Sequence, residues 1–363
     1  MRVKLIEPFL TGSHKQWAEG LRQHSKHEIS IASLNGNHWK WRMHGSAISF
    51  SQNLDKEARP DLILCTDMTD VATFKGLLPT RWQSIPISTY FHENQITYPW
   101  SRNDPDKELK RDHHYGWINY TSALASDRVL FNSDYHLNSF LDALPGFLDV
   151  FPDYQNLETV DQIRSKSEVL HLGLDLTKFD QFRGDKIHNR ILWNHRWEYD
   201  KNPESFFKVL FQLADEGVEF ELAVCGERFS KTPPIFEEAQ TRLSDKIVQF
   251  GTLDSFEEYS KLLWSCGIVP VTSNQDFFGI SAVEAMYCEC TPLLPNRLAF
   301  PTHLNQPHLL FNDDSELLAK LRDLLVLQEP TNCRPDILRY DWSSQIERYD
   351  SVLEGIAKST TEA

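Results

Sequence analysis

Apolar and polar positions follow two rhythms along this chain, and the rhythms take turns. Short apolar runs such as "RVKLIEP" (residues 2–8), "EISIASL" (28–34), "PDLILCTD" (60–67) and "IPISTYFHEN" (85–94) have the length and β-branched content of strands. The stretch "TGSHKQWAEGLRQHS" (11–25) opens on a glycine turn and spaces its apolar residues at helical intervals. "SDRVLFNSDYHLNSFLDAL" (126–144) reads as a strand, a serine/aspartate cap and a helix, and "SEVLHLGLD" (167–175) as a further strand. The polar run "DQFRGDKIHNR" (180–190) has the composition of a linker, and the alternation then restarts. "RILWNHRWEYDKNPESFFKVLFQLADEG" (190–217) gives strand, polar loop and helix, followed by strands in "EFELAVCGE", "KIVQFGTL" and "CGIVPVTS" and a helix in "FEEYSKLLWS". The pattern predicts an α/β protein of two doubly wound, Rossmann-like domains, 1–180 and 181–340, with 341–363 a helix that packs back on the first. Ligands are expected in a central cleft that the two domains face, beyond the carboxyl ends of their strands.

Composition narrows this picture. The chain has 363 residues, too many for one small domain, and 40% of them are hydrophobic, enough for two cores. No apolar run approaches the length of a membrane span, and "MRVKLIEPFL" reads as a first strand with no leader-like apolar region. The six cysteines are scattered through strand-like contexts, which suits reduced thiols and a cytoplasmic location. The pair Cys288 and Cys290 lacks two further ligands at zinc-like spacing, so no metal site is expected there.

A net charge of −15 argues against non-specific nucleic-acid binding by the protein as a whole. Residues 1–50 depart from that average, with Arg2, Lys4, Lys15, Arg22, Lys26, Lys40 and Arg42 against Glu7, Glu19 and Glu28. Within "NHWKWRMHG", the indoles of Trp39 and Trp41 alternate with Lys40 and Arg42. This is either a solvated surface or a nucleic-acid contact, because indole faces stack on unpaired bases.

Two carboxylates stand eight positions apart in "QDFFGISAVEAMYCECTPLLP" (275–295), Asp276 in a turn and Glu284 in the helix that follows. They read either as brackets for a polar ligand or as an ordinary capped helix. Arg196 and Lys201, five apart in the loop after a strand, suit a diphosphate beside a helix N-terminus, but taken alone they read first as two surface charges beside an Asn-Pro helix start. The order of cationic loop, "VCGE" turn, "FGTL", "VPVTS" and "DFFGISAVEAM" resembles the nucleotide-sugar domain of GT-B glycosyltransferases of the family 4 type, whose signature is Glu, seven residues, then Glu. "EPFLTGSHKQWAEGL", "NHWKWRMHG", "YFHENQITYP" and "FFGISAVEAMYCECTPL" together resemble the tRNA-queuosine mannosyltransferases.

That resemblance implies a GT-B fold and a retaining, metal-independent transfer of mannose from GDP-mannose to the cyclopentenediol of queuosine in the anticodon of tRNA-Asp. It implies that Arg196 and Lys201 hold the diphosphate, Glu284 the ribose hydroxyls, and Asp276 the donor sugar. Backbone at Phe278, Gly279 and Ile280 would meet sugar and phosphate, Gly226 and Glu227 the base, Gly12 and Ser13 the phosphates, and His92 the sugar or the leaving group. A structural histidine is the other reading of His92. His14, Lys15, Trp39, Lys40, Trp41 and Arg42 are the candidates for tRNA contact. No cofactor, membrane or obligate protein partner is expected, and the Asp-Pro-Asp letters at 104–106 lie in a proline-broken polar segment unsuited to a metal motif.

Two positions depart from the family pattern: Asp276 replaces a glutamate, and Glu289 stands where many relatives have glycine. Other readings are a family 4 enzyme acting on a lipid or small glycoside, a non-catalytic nucleotide-sugar or RNA-binding protein, and a sugar-nucleotide epimerase.

Overall fold

The computed structural model describes residues 1–52, 54–100, 113–228, 232–327 and 330–359, so the Asp-Pro-Asp at 104–106 and the last four residues lie outside the described part. The chain divides into two compact units, Met1–Asp175 with Trp342–Ala363, and Leu176–Asp341. Among the described residues each unit is built on one six-stranded sheet, and every strand pair in both is parallel.

In the first unit β1 (Arg2–Leu10), β2 (Glu28–Asn35), β3 (Leu62–Thr66), β4 (Ile87–Phe91), β5 (Arg128–Phe131) and β6 (Ser167–Val169) lie in the order β2-β1-β3-β4-β5-β6. All residues of β3 and β4 are buried, which is why these strands read as continuous apolar runs. The order turns back between β1 and β3, so the loops leaving those two strands diverge and open a crevice at their carboxyl ends.

The helix Trp342–Ser359 belongs to this unit although it closes the chain. Trp342 is buried against Gly20 and Gly173, where an added Cβ would lie 2.1 and 2.3 Å from its indole. Further along the helix, Tyr349 accepts a bond from Trp17 Nε1 (2.9 Å) and donates to the carbonyl of His171 (2.9 Å). A buried aromatic of this size is worth about 1.5–3 kcal/mol, so the two together hold the helix down.

In the second unit β7 (Ile187–Trp193), β8 (Glu221–Cys225), β9 (Ile247–Gly251), β10 (Cys266–Pro270), β11 (Thr291–Pro295) and β12 (Leu310–Phe311) take the order β12-β11-β10-β7-β8-β9. Here the order turns back between β7 and β10, which puts the Arg196 loop beside the Asp276 loop. Trp193, Trp197, Phe207 and Phe236 form an aromatic core under the first of these loops, with Trp197 and Phe236 stacked at 4.0 Å. All six cysteines are buried free thiols. No helix among the described residues is long and apolar enough to cross a membrane.

One helix has no clear signature in the sequence. Trp39–Ser51 is helical, but its large apolar side chains are spread around the cylinder, and only Met43, Ser46 and Ala47 are buried.

Candidate active site

The loop after β7 and the turn after β10 are tied together by backbone before any side chain is considered. The carbonyl of Asp200 accepts the N–H groups of Asn274 (2.8 Å) and Gln275 (3.3 Å). Lys201, buried in this joint, donates to Asp276 Oδ1 (2.9 Å) and to the Gln275 carbonyl (3.0 Å), and its ammonium lies 3.2 Å from Asp200 Oδ2. The same Asp200 oxygen is 3.9 Å from Arg196, which also pairs with Glu198 at 3.3 Å. The structure therefore brings Arg196, Lys201 and Asp276 into one cluster, with Asp200 as the bridge.

Burial is the largest single influence on both Lys201 and Asp276 and opposes their ionisation, but their mutual attraction, joined by Asp200 at Lys201 and by His195 and Ser273 at Asp276, outweighs it. The Lys201 pKa is raised and that of Asp276 lowered, so the pair stays charged. His195 is buried beside them and neutral, its pKa lowered to about 4 chiefly by desolvation. Its Nδ1 shares a hydrogen bond with Ser281 Oγ (2.7 Å), while Nε2 has no partner. Asp276 Oδ2 is likewise buried with no hydrogen bond of normal length, although the Ser273 hydroxyl is close enough to favour the ionised carboxylate. Two unmatched polar atoms in a buried ionic cluster are costly unless water, a neighbouring hydroxyl or a ligand completes them.

The remaining candidates of this unit lie around the same cluster. An added Cβ on Gly226 would fall 2.0 Å from the His195 carbonyl, so only glycine allows the β8 turn to approach so closely, and the Glu227 carbonyl accepts the Trp197 N–H (3.0 Å). Gly279 has φ +88°, and a Cβ there would meet the Phe300 ring at 2.7 Å. It starts the helix Ile280–Tyr287, while the Phe278 carbonyl is held by His303 Nε2 (2.6 Å). On that helix Glu284 is buried and accepts the Tyr259 hydroxyl (2.7 Å), which itself accepts Asn194 Nδ2 (3.1 Å). Burial raises the Glu284 pKa against the Tyr259 bond. Just past the helix, Glu289 adopts φ 62°, a conformation costing a side-chain-bearing residue about 1–2 kcal/mol. Its carboxylate pairs with Arg183 (2.7 Å) and Arg334 (3.6 Å), which offsets part of that cost.

The first unit carries a second buried cluster. Glu7 ends the regular pairing of β1, His14 lies on the helix Gly12–His24, Asp67 follows β3, and His92 follows β4. Glu7 Oε2 is 3.0 Å from His14 Nδ1, the imidazoles of His14 and His92 lie 4.2 Å apart, and Asp67 Oδ1 accepts the backbone N–H of His92 (2.8 Å). Burial disfavours the His14 cation, yet Glu7 and its neighbours raise the pKa to about 9. Asp67 is pushed up to about 8 by desolvation, and His92 well below 6.5 by desolvation and the His14 charge. His92 Nε2 is buried with no partner. Ligand atoms of Glu7, His14 and His92 lie within 4.8 Å of one another, so these three residues have the spacing to share a cation. Gly12 and Ser13 are exposed at the start of the same helix.

Residues 2–174 match the family model for the N-terminal domain of tRNA-queuosine alpha-mannosyltransferase, and residues 177–332 match that for glycosyl transferases group 1. The tRNA-queuosine alpha-mannosyltransferase of Drosophila melanogaster is 35% identical over 331 residues, 88% of this chain and 85% of the fly protein. The chain belongs to this family. Among solved structures, Anabaena HepE in complex with UDP superposes with a TM-score of 0.67 over 98% of this chain and all of HepE, at 12% identity. The E. coli trehalose-6-phosphate protein bound with UDP-2-fluoro glucose gives 0.68 over 99% of each chain, also at 12% identity. The fold is therefore GT-B.

Within this family member the six candidates for RNA contact separate. His14 is buried with Glu7 and His92, away from solvent. Trp39 is half-buried against Tyr115 (5.1 Å). Lys40 is half-buried with its ammonium 5.5 Å from the Trp39 ring, Arg42 Nε donates to the Asn35 carbonyl (3.1 Å), Lys15 is exposed, and Trp41 is 65% exposed. Sequence reasoning missed His195, Asp200, Tyr259, Asn194, Glu7 and Asp67. Asp200 had one signal, its place between the two family cations.

Proposed function

We propose that the protein transfers mannose from GDP-mannose to the cyclopentenediol of queuosine in the anticodon of tRNA-Asp, with retention of configuration and without a bound metal, in the cytoplasm. Family membership carries the coarser part of this reading, a glycosyltransferase that moves mannose to queuosine in tRNA. The observation that carries the site is the Lys201–Asp276 pair at the turning point of the second sheet, with Asp276 Oδ2 and His195 Nε2 buried beside it and unmatched.

In this proposal Arg196 and Lys201 neutralise the donor diphosphate, so no metal is needed for the leaving group. Glu284 accepts the vicinal ribose hydroxyls, with Tyr259 fixing the carboxylate. Asp276 faces the sugar, backbone at Phe278, Gly279 and Ile280 meets sugar and phosphate, and Gly226 and Glu227 meet the base. In the first unit, His92 acts on the transferred sugar and Gly12 and Ser13 on phosphate. The bond from the anomeric carbon to the diphosphate breaks and a bond to the acceptor oxygen forms. The acceptor proton leaves on a phosphate oxygen of GDP, on the same face of the sugar. Asp276 in place of the family's glutamate shortens the reach to the sugar by one methylene.

The test is incubation of the purified protein with GDP-mannose and tRNA carrying or lacking queuosine, with mass spectrometry of the digested nucleosides. A hexose gain on queuosine alone supports donor and acceptor together. Donor binding without any gain on queuosine overturns the acceptor and leaves the GT-B reading standing.

A further inference from the structure

Apart from both clusters, the first unit has a cavity of about 720 Å³, within the roughly 300–1,000 Å³ span of small-ligand sites. It lies where the helix Trp39–Ser51 meets the helix His114–Ala125, and Lys40, Trp41, His44, His114, Tyr115 and Trp117 line it. Net charge is −15 overall, yet among the described residues no carboxylate lines this cavity.

The aromatic groups here are exposed and also held in place. Trp41 is 65% and Trp117 40% exposed, an unusual amount of indole to leave in water on one face. Trp41 leans on Gly45 one turn further along its helix, where an added Cβ would lie 3.0 Å from the ring, so this glycine makes room for the indole. Trp117 packs edge-on against Phe151 at 5.1 Å. His44 and His114 stack at 4.3 Å and share a 3.2 Å hydrogen bond between ring nitrogens. The Lys40 ammonium sits 5.5 Å from the Trp39 ring and 5.6 Å from that of Tyr115, which orients a positive charge at the cavity.

We propose that this cavity receives one unpaired nucleobase of the RNA acceptor, stacked on the Trp41 or Trp117 indole, with an adjoining phosphate on Lys40. The proposal rests on the reading that the acceptor is tRNA. Flat indoles beside a fixed cation and hydrogen-bonding imidazoles fit the combination of base face, base edge and phosphate that single-stranded RNA presents. An acidic or purely apolar protein partner would match only half of these groups. The site is separate from the Glu7–His14–His92 cluster, and its residues provide positioning for the acceptor and take no part in the chemistry.

The experiment uses the full chain and tRNA at fixed salt, with a single-stranded oligoribonucleotide and a blunt RNA duplex as comparators. Trp41→Ala and Trp117→Ala are expected to weaken binding of tRNA and the single strand by about one to two orders of magnitude for whichever indole carries the stack. Duplex binding, thermal midpoint and the KM for GDP-mannose should stay unchanged. Trp41→Phe keeps an aromatic face and should restore most of the affinity if Trp41 is that indole. Lys40→Ala should reduce the salt slope of binding by about one phosphate contact. Wild-type tRNA affinity in both tryptophan variants overturns the proposal, and equal losses on single strand and duplex overturn it in favour of a general charged surface. An unaltered protein that neither binds tRNA nor mannosylates it overturns both this proposal and the acceptor reading beneath it. Normal tRNA binding by the unaltered protein with unaffected variants overturns this proposal alone.

Discussion

The second unit keeps its buried Lys201–Asp276 pair ionised through the neutral range, whereas the first unit holds two groups, His14 and Asp67, that titrate near its upper edge. Both clusters sit where a parallel sheet reverses its order, and both are buried. The difference lies in which residue types share the burial. Lys201 and Asp276 have ordinary pKa values far to either side of neutrality, and their pairing drives those values further apart. Glu7, His14, Asp67 and His92 include one weak cation among carboxylates, and desolvation brings Asp67 up to about 8 while Glu7 raises His14 to about 9. A cluster of permanent ion pairs keeps its geometry across the neutral range. A titratable one suits proton-dependent contact with neutral hydroxyls.

The largest expected effect tests the permanent charge. Lys201→Ala leaves Asp276 buried without its cation and Asp200 with only the more distant Arg196, which should cost about 3–5 kcal/mol of stability and reduce mannose transfer by about 100-fold or more. Thermal melts and initial rates on the folded fraction measure the two separately, and near-normal transfer by that fraction would break the contrast. Next, Glu284→Ala should raise the dissociation constant for GDP-mannose about 10- to 100-fold, the worth of hydrogen bonds to a charged group. Calorimetric titration reads this directly, and an unchanged constant would remove Glu284 from the donor site.

The titratable cluster makes a prediction of smaller size with a definite sign. His14 has a folded pKa above its ordinary 6.5, so its stabilising contribution is complete below that value and is lost as pH rises through about 9. Asp67 is also raised, from 3.8 to about 8, so the native state holds that proton more tightly and loses stability as pH rises between the two values. Both slopes have the same sign, while His92, held below its ordinary 6.5, opposes them only under that value, so the thermal midpoint should fall from pH 6.5 to pH 9. Glu7→Gln should flatten the upper part of that fall. A midpoint that rises across this window would show that these groups do not govern it. The smallest expected effect is zero: excess chelator should leave transfer unchanged. Activity lost to chelation and restored by a divalent ion would instead assign a metal to Glu7, His14 and His92.

Much of this could be read in the chain because burial leaves a mark on composition. Strands buried on both faces, such as β3, β4 and β10, have to be apolar throughout, and so they stand out as runs. The Asp276–Glu284 spacing and the Arg196–Lys201 offset are local, and the left-handed Glu289 lies where a glycine pattern is broken. The helix Trp39–Ser51 leaves no clear stripe because Trp41 faces outward while Trp39, two residues earlier, is half-buried on Tyr115. Its cavity needed a second helix, His114–Ala125, more than sixty residues away.

By itself, then, the sequence determined two parallel α/β units, the order of their loops and the residue types those loops carry, since these depend on neighbours along the chain. Tertiary structure alone decided that β7 lies beside β10, so that Asp200 could bridge Arg196 to Lys201 and Lys201 could reach Asp276. It alone decided that His14 is buried on Glu7 and His92 while Trp41 stays in water. The reason is physical: charge state and exposure are set by the dielectric and the partners around a group, and most of those partners come from distant parts of the chain.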